Sequence, residues 1–122
     1  MVDNNERRQH TRFMVTDGAF AFIQNTPFII QDISKGGLQV KSVAFDEAAS
    51  APAEMILDIF LKDDNFYLQN IPVRLIRFHK NNSASPFGNI HVGYFGLQFG
   101  ELTEQQKSRL DYFIARSSCS EA

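Results

Sequence analysis

Six apolar runs, each closed by a turn signal, fix most of what this chain can fold into. They read GAFAFIQ (Gly18–Gln24), FIIQDIS (Phe28–Ser34), LQVKSV (Leu38–Val43), MILDIFLKD (Met55–Asp63), FYLQNIPVRLIRF (Phe66–Phe78) and IHVGYFGLQF (Ile90–Phe99). Side chains alternate across a strand, so Leu57, Ile59 and Leu61 share one face, as do Phe95, Leu97 and Phe99. Short turns at NTP and KGG link the first three runs into an antiparallel meander. Pro72 lacks a ladder donor and predicts a bulge or an edge position in the longest run. The polar stretch His79–Asn89 reads as a hairpin loop.

The period changes near the end of the chain. Thr103 and Gln106 fit a capping box, and Leu110, Phe113 and Ile114 then fall on one face of a helix from about Glu104 to Arg116. Six strands and one closing helix predict a mainly β fold: a six-stranded antiparallel β-barrel with a C-terminal α-helix, because closure removes exposed sheet edges. Strand count by itself leaves a sandwich as the alternative. A chain of 122 residues has room for one core, and the twelve phenylalanines are assigned to it. Residues 1–12 are expected to form a flexible N-terminal arm, 13–117 the barrel with its helix, and 118–122 a disordered tail carrying Cys119.

Charge and composition remove several function classes. A formal net charge of −2 argues against DNA or RNA as a partner, since coating nucleic acid takes a broad basic face. One cysteine permits neither an internal disulfide nor a cysteine-built metal site, and His79 and His91 have no acidic partner at ligand spacing. No run approaches the roughly 18–20 apolar residues of a membrane span, so no membrane insertion is expected. MVDNNERRQH lacks the apolar core of a secretory signal, and a cytoplasmic location is the expectation.

The chemistry-bearing residues sit in two short stretches. ERRQHTRF, Glu6 to Phe13, carries Arg7, Arg8 and Arg12. A spacing of four puts the Arg8 and Arg12 side chains on one side, whether the segment is extended or helical. Guanidinium is a permanently charged planar fork suited to phosphate oxygens and to the O6/N7 edge of guanine. In QDISKGG, Asp32 and Ser34 alternate at a strand end and are expected to point the same way, the carboxylate accepting from guanine N1 and N2. Gly36 and Gly37 are expected to turn the backbone at positive φ and to let a ligand approach. Together these residue types suit a ligand with both phosphate and guanine. One carboxylate without a metal cluster or a histidine base argues for binding, not catalysis.

Arg-x-x-x-Arg at Arg8 and Arg12, followed by Asp-x-Ser-x-x-Gly at Asp32, Ser34 and Gly37, resembles the PilZ domain family, as does YFGLQF before the closing helix. The similarity runs from about Glu6 to Arg116. The resemblance implies a six-stranded barrel that receives the bacterial second messenger cyclic di-GMP, with no further cofactor. By that resemblance, Arg8 and Arg12 hold phosphate and guanine from the arm, and Asp32, Ser34 and Gly37 present the base-reading surface. An arginine at position 7 accompanies binding of a stacked ligand pair in such domains. The implied protein is a receptor that relays messenger level to an effector protein in trans through ordering of its arm. The alternative is a nucleotide-independent interaction module of the same fold, active in assembly of surface structures. The strand faces reveal no clear interface at this stage, and a homodimer stays open.

Overall fold

Strand β2 (Ala19–Ile23) is packed in the opposite sense from the one its composition suggests. Ala19, Ala21 and Ile23 point into the core at 1%, 0% and 7% exposure, while Phe20 and Phe22 are half-buried on the outside. The computed structural model describes residues 11–24, 26–44, 54–62, 65–86 and 88–121. The other strands are β1 (Phe13–Val15), β3 (Thr26–Ile33), β4 (Gly37–Ala44), β5 (Glu54–Leu61), β6 (Phe66–Ser85), β7 (Gly88–Phe99) and β8 (Ser118–Glu121), with helix α1 at Glu104–Ser117.

Six of these strands close on themselves. The order β2-β5-β6-β7-β4-β3 is completed by a β2–β3 pairing, which gives the expected antiparallel six-stranded barrel with one C-terminal helix. Closure satisfies every neighbour's backbone ladder without leaving a barrel edge open. Its interior is filled by Ile33, Val40, Leu57, Ile59 and Ile71, all at or below 1% exposure. Burying each such side chain stabilises the fold by roughly 1.5–3 kcal/mol. Among the described residues Phe66, Phe95 and Phe113 join this core, but Phe20, Phe22 and Phe60 do not. The assignment of the phenylalanines to the core is corrected accordingly: in so narrow a barrel, small and branched residues fill the lumen and rings are displaced outward.

The helix begins as its capping box predicts. Thr103 Oγ1 accepts from the Gln106 amide at 3.1 Å, and the Thr103 amide donates to Gln106 Oε1 at 2.9 Å. Leu110, Phe113 and Ile114 face the barrel, with Phe113 against Phe66 at 5.6 Å between ring centroids.

Three expectations are revised. The described residues of the segment 79–89 are not a loop: β6 and β7 pair from Val73↔Phe99 to Ser85↔Gly88 with one register shift between Leu75 and Arg77, and beyond His91, where β4 ends, they run on as a two-stranded ribbon. A two-stranded ribbon buries little, so its polar sequence hid the ladder. Residues 118–121 form β8, paired with β1 through Phe13↔Glu121 and Met14↔Ser120, where a disordered tail was expected. Backbone hydrogen bonds hold this polar strand, and no apolar alternation announces it. The bulge expected at Pro72 falls two residues earlier, where Asp58 faces both Gln69 and Asn70 and Asn70 takes φ 61°. Pro72 itself sits in β6 opposite Ile56, just beyond the last β6–β7 pair, its carbonyl accepting from the Gly100 amide at 2.8 Å.

Candidate functional site

Strand β3 serves two neighbours. Its first half, Thr26–Ile29, closes the barrel against β2, and its last residues, Asp32 and Ile33, pair with β1. Between the halves the β3–β4 register shifts, Ile30 facing Val40 and Asp32 facing Gln39, so Gln31 is the extra residue of a bulge. The bulge reverses the parity. Ile30 and Ile33 both point inward, at 2% and 0% exposure, and Asp32 is turned to the outer face.

Arg12 directly precedes β1, whose pairing Met14↔Asp32 carries it to that carboxylate. Arg12 Nε donates to Asp32 Oδ1 at 3.2 Å, and Nη2 donates to Oδ1 at 3.0 Å and Oδ2 at 3.1 Å. Nη2 also reaches Gln39 Oε1 at 3.4 Å, and Gln39 Nε2 donates to Gln31 Oε1 at 3.0 Å. The side chains of Arg12 and Asp32 keep 21% and 13% exposure, enough shelter to strengthen the fork and enough opening to reach a ligand. β8 lies on the far side of β1 and holds this edge of the site in place.

The turn after β3 is built by Ser34. Its amide donates to the Gly37 carbonyl at 2.8 Å; its hydroxyl accepts from the Gly36 amide at 3.1 Å and approaches the Gly37 carbonyl at 3.4 Å. Ser34 is 8% exposed, so its hydroxyl does not stand beside the Asp32 carboxylate as alternation predicts. The strand has ended at Ile33, and Ser34 shapes the turn. Neither Gly36 nor Gly37 takes a positive φ; among the described glycines only Gly18 does, at 92°. Gly37 is required for a different reason. A Cβ there would overlap the Leu97 carbonyl oxygen and come within 3.2 Å of Gln98 Cα, because β4 and β7 meet closely at this point. Gly36 ties the turn to β7 by accepting from the Phe99 amide at 2.9 Å.

Arg7 and Arg8, together with His10, lie outside the described residues. Arg12 and Asp32 are brought together; Ser34, Gly36 and Gly37 form the adjoining turn.

Residues that the sequence reading missed extend the site sideways. Register links Asp32 to Gln39, Gln39 to Gly96 and Gly96 to Arg77, one row across four strands. Arg77 lies over Gly96, where a Cβ would meet its Nε and Nη2 at 3.3 Å. Beside it, Tyr94 and His79 pair at 6.1 Å between centroids. These residues line a hollow of about 300 Å³ next to Gln39. The outward parity of β4, β6 and β7 contained this signal, but only the strand order places the residues side by side. A larger hollow of about 650 Å³ lies over Ile56, Pro72 and Arg74 and reaches Gln98, the ladder partner of Gly37; there Arg74 Nη2 is held by Gln98 Oε1 at 2.9 Å. Among the described residues no group of three His, Cys, Asp or Glu is placed to hold a metal, and no helix is long and apolar enough to cross a membrane.

Comparison with solved structures returns the same fold. The PilZ domain of YcgR from Escherichia coli, solved with c-di-GMP, superposes with a TM-score of 0.66 at 14% identity, covering 90% of this chain and 92% of that one. MrkH from K. pneumonia, described as a c-di-GMP-dependent transcription regulatory factor, gives 0.66 at 15% identity over 91% of this chain and 51% of its own. The Bacillus subtilis inhibitor of motility MotI (DgrA) gives 0.53 at 21% identity over 95% and 56%. The chain thus spans about half of the MrkH and MotI chains. No curated protein matches in sequence. The barrel, its closing helix and the turn beside Arg12 accord with a family match that spans residues 6–116, and the chain belongs to the PilZ domain family.

Proposed function

We propose that this chain is a receptor for cyclic di-GMP, and that Arg12 and Asp32 are the fixed part of its binding site. The observation that carries this reading is the two-pronged contact between them on an open outer face, next to a glycine turn. Each group satisfies the other through these hydrogen bonds. On binding, the Arg12 guanidinium turns to a phosphate oxygen and frees the Asp32 carboxylate for the N1 and N2 donors of guanine. One set of charge-assisted hydrogen bonds is exchanged for another, so opening the pair costs little net energy. Ser34, Gly36 and Gly37 keep the turn low enough for the base to approach. Arg8 and Arg7 on the preceding arm close over the phosphates, and Arg7 helps to neutralise a second, stacked messenger molecule. Ordering of the arm is the signal that an effector protein reads in trans. No catalytic step is assigned to the site.

A second reading has one observation in its favour. Because Arg12 and Asp32 satisfy one another, pinning β1 to the barrel is a sufficient role for the pair in a nucleotide-independent interaction module. Calorimetric titration with cyclic di-GMP separates the two. The receptor predicts a saturable heat, with about two ligands per chain for the stacked pair. Silence at micromolar nucleotide leaves the module.

A further inference from the structure

The barrel carries apolar side chains on its outside that the described residues leave partly exposed. Register places Ile29 beside Phe20, Phe20 beside Phe60 and Phe60 beside Tyr67, one row running across β3, β2, β5 and β6 on the outside. Ile29 and Tyr67 are each 43% exposed and Ile56, farther along β5, is 60% exposed. Phe60 meets Phe22 and Tyr67 edge-on, each at 6.4 Å between centroids. A contiguous outer patch of rings of this kind marks an interaction surface, because scattered apolar residues are ordinary and connected ones are not.

The charges on this face say what covers it. Along β5 the outward residues run Asp58, Phe60, and then Lys62 just past the strand, so opposite charges stand two positions either side of the central ring. Asp58 is held in place by the Tyr67 hydroxyl at 2.7 Å and the Asn70 amide at 3.0 Å, yet it makes no ion pair among the described residues. The Lys62 side chain is exposed and likewise unpaired among them. We propose that a second copy of this chain docks here, face to face over β2 and β5, about a two-fold axis lying along the Phe20–Phe60 step of that row, with Ile29 and Tyr67 one strand farther round the closed barrel on either side, at the rim. That axis reverses the strand direction, stacks Phe60 on its counterpart and sets each Asp58 against the partner's Lys62. The alternative two-fold, along the strand, sets Asp58 against Asp58 and is disfavoured by like charge. Each charge lies about 7 Å along the strand from Phe60, within side-chain reach across two packed sheets. The pattern is self-complementary, as an isologous contact requires.

Sedimentation velocity from micromolar to millimolar protein, without nucleotide, tests the proposal. The wild type is expected to pass from monomer to dimer. Lys62→Asp, a change at an exposed side chain, is expected to raise the dimer Kd about tenfold, and Phe60→Ser by more. Combining Lys62→Asp with Asp58→Lys restores the opposite-charge pair and is expected to recover most of the loss. Circular dichroism verifies that each variant is folded; should the charge swap fail to fold, Lys62→Asp and Phe60→Ser decide alone. A wild type that stays monomeric throughout overturns the proposal, as does a dimer indifferent to both single changes. Arg12→Ala leaves the dimer unchanged, so the outcome stands apart from the nucleotide reading.

Discussion

Arg12 and Asp32 stand 20 residues apart in sequence and meet through a forked ion pair, its Nη2–Oδ1 distance 3.0 Å. The contact depends on two local irregularities. The bulge at Gln31 turns Asp32 outward, and the three-residue strand β1 delivers Arg12 to it. Their coupling is measurable in the absence of any ligand. A double-mutant cycle with Arg12→Ala and Asp32→Ala is expected to give about 1 kcal/mol by chemical denaturation, above the typical exposed pair and below a fully buried one. A coupling near zero would mean that β1 is held by its backbone ladder alone.

Gly37 is expected to resist substitution for steric reasons. Gly37→Ala pushes a methyl group into the Leu97 carbonyl and so forces β4 away from β7. The expected loss is at the upper end of about 1–3 kcal/mol, read as a fall in the denaturation midpoint. A variant as stable as the wild type would contradict the close approach of the two strands.

The helix cap offers a cleaner test of local chemistry. Thr103→Ala removes the acceptor for the Gln106 amide, a 3.1 Å contact, and is expected to cost about 1 kcal/mol. Thr103→Ser keeps the oxygen and is expected to stay near the wild type in thermal melts.

Tyr67 titrates above its ordinary value of 10.0, first because its hydroxyl donates to the Asp58 carboxylate, and further because removing its proton places two negative charges together. The folded state therefore holds this proton more tightly than the unfolded chain. The contribution to stability is complete below the unfolded phenol's pKa and is lost as pH rises through the higher folded value. Ultraviolet titration of the phenols should show one late-ionising tyrosine, which Asp58→Asn returns toward the ordinary range. Identical curves for the two proteins would remove the Asp58 contact as the cause.

The barrel was legible because its information is periodic. Leu57, Ile59 and Leu61 alternate without interruption, and Thr103 with Gln106 carries its own capping chemistry. What stayed hidden needed partners to decide it. Phe20 and Phe22 alternate with Ala19, Ala21 and Ile23, so both faces of β2 are apolar and only the strand's neighbours settle which is inside. Ser118–Glu121 and the 79–89 ribbon are polar ladders with no hydrophobic stripe to show them. The bulge left no such signal: Ile29 and Ile33 share a parity in the sequence, and only the joint burial of Ile30 and Ile33 shows that one residue is extra. Ser34 leaves the side of Asp32 for a separate reason: β3 ends at Ile33 and the turn begins there, a boundary that alternation does not mark.

Binding of cyclic di-GMP where Arg12 meets Asp32 is read by calorimetry on three proteins. The wild type is expected to bind saturably, and Arg12→Ala and Asp32→Asn about 10- to 100-fold more weakly, the loss of one or two hydrogen bonds to a charged group. Equal affinity in all three, with both variants folded, would contradict the account.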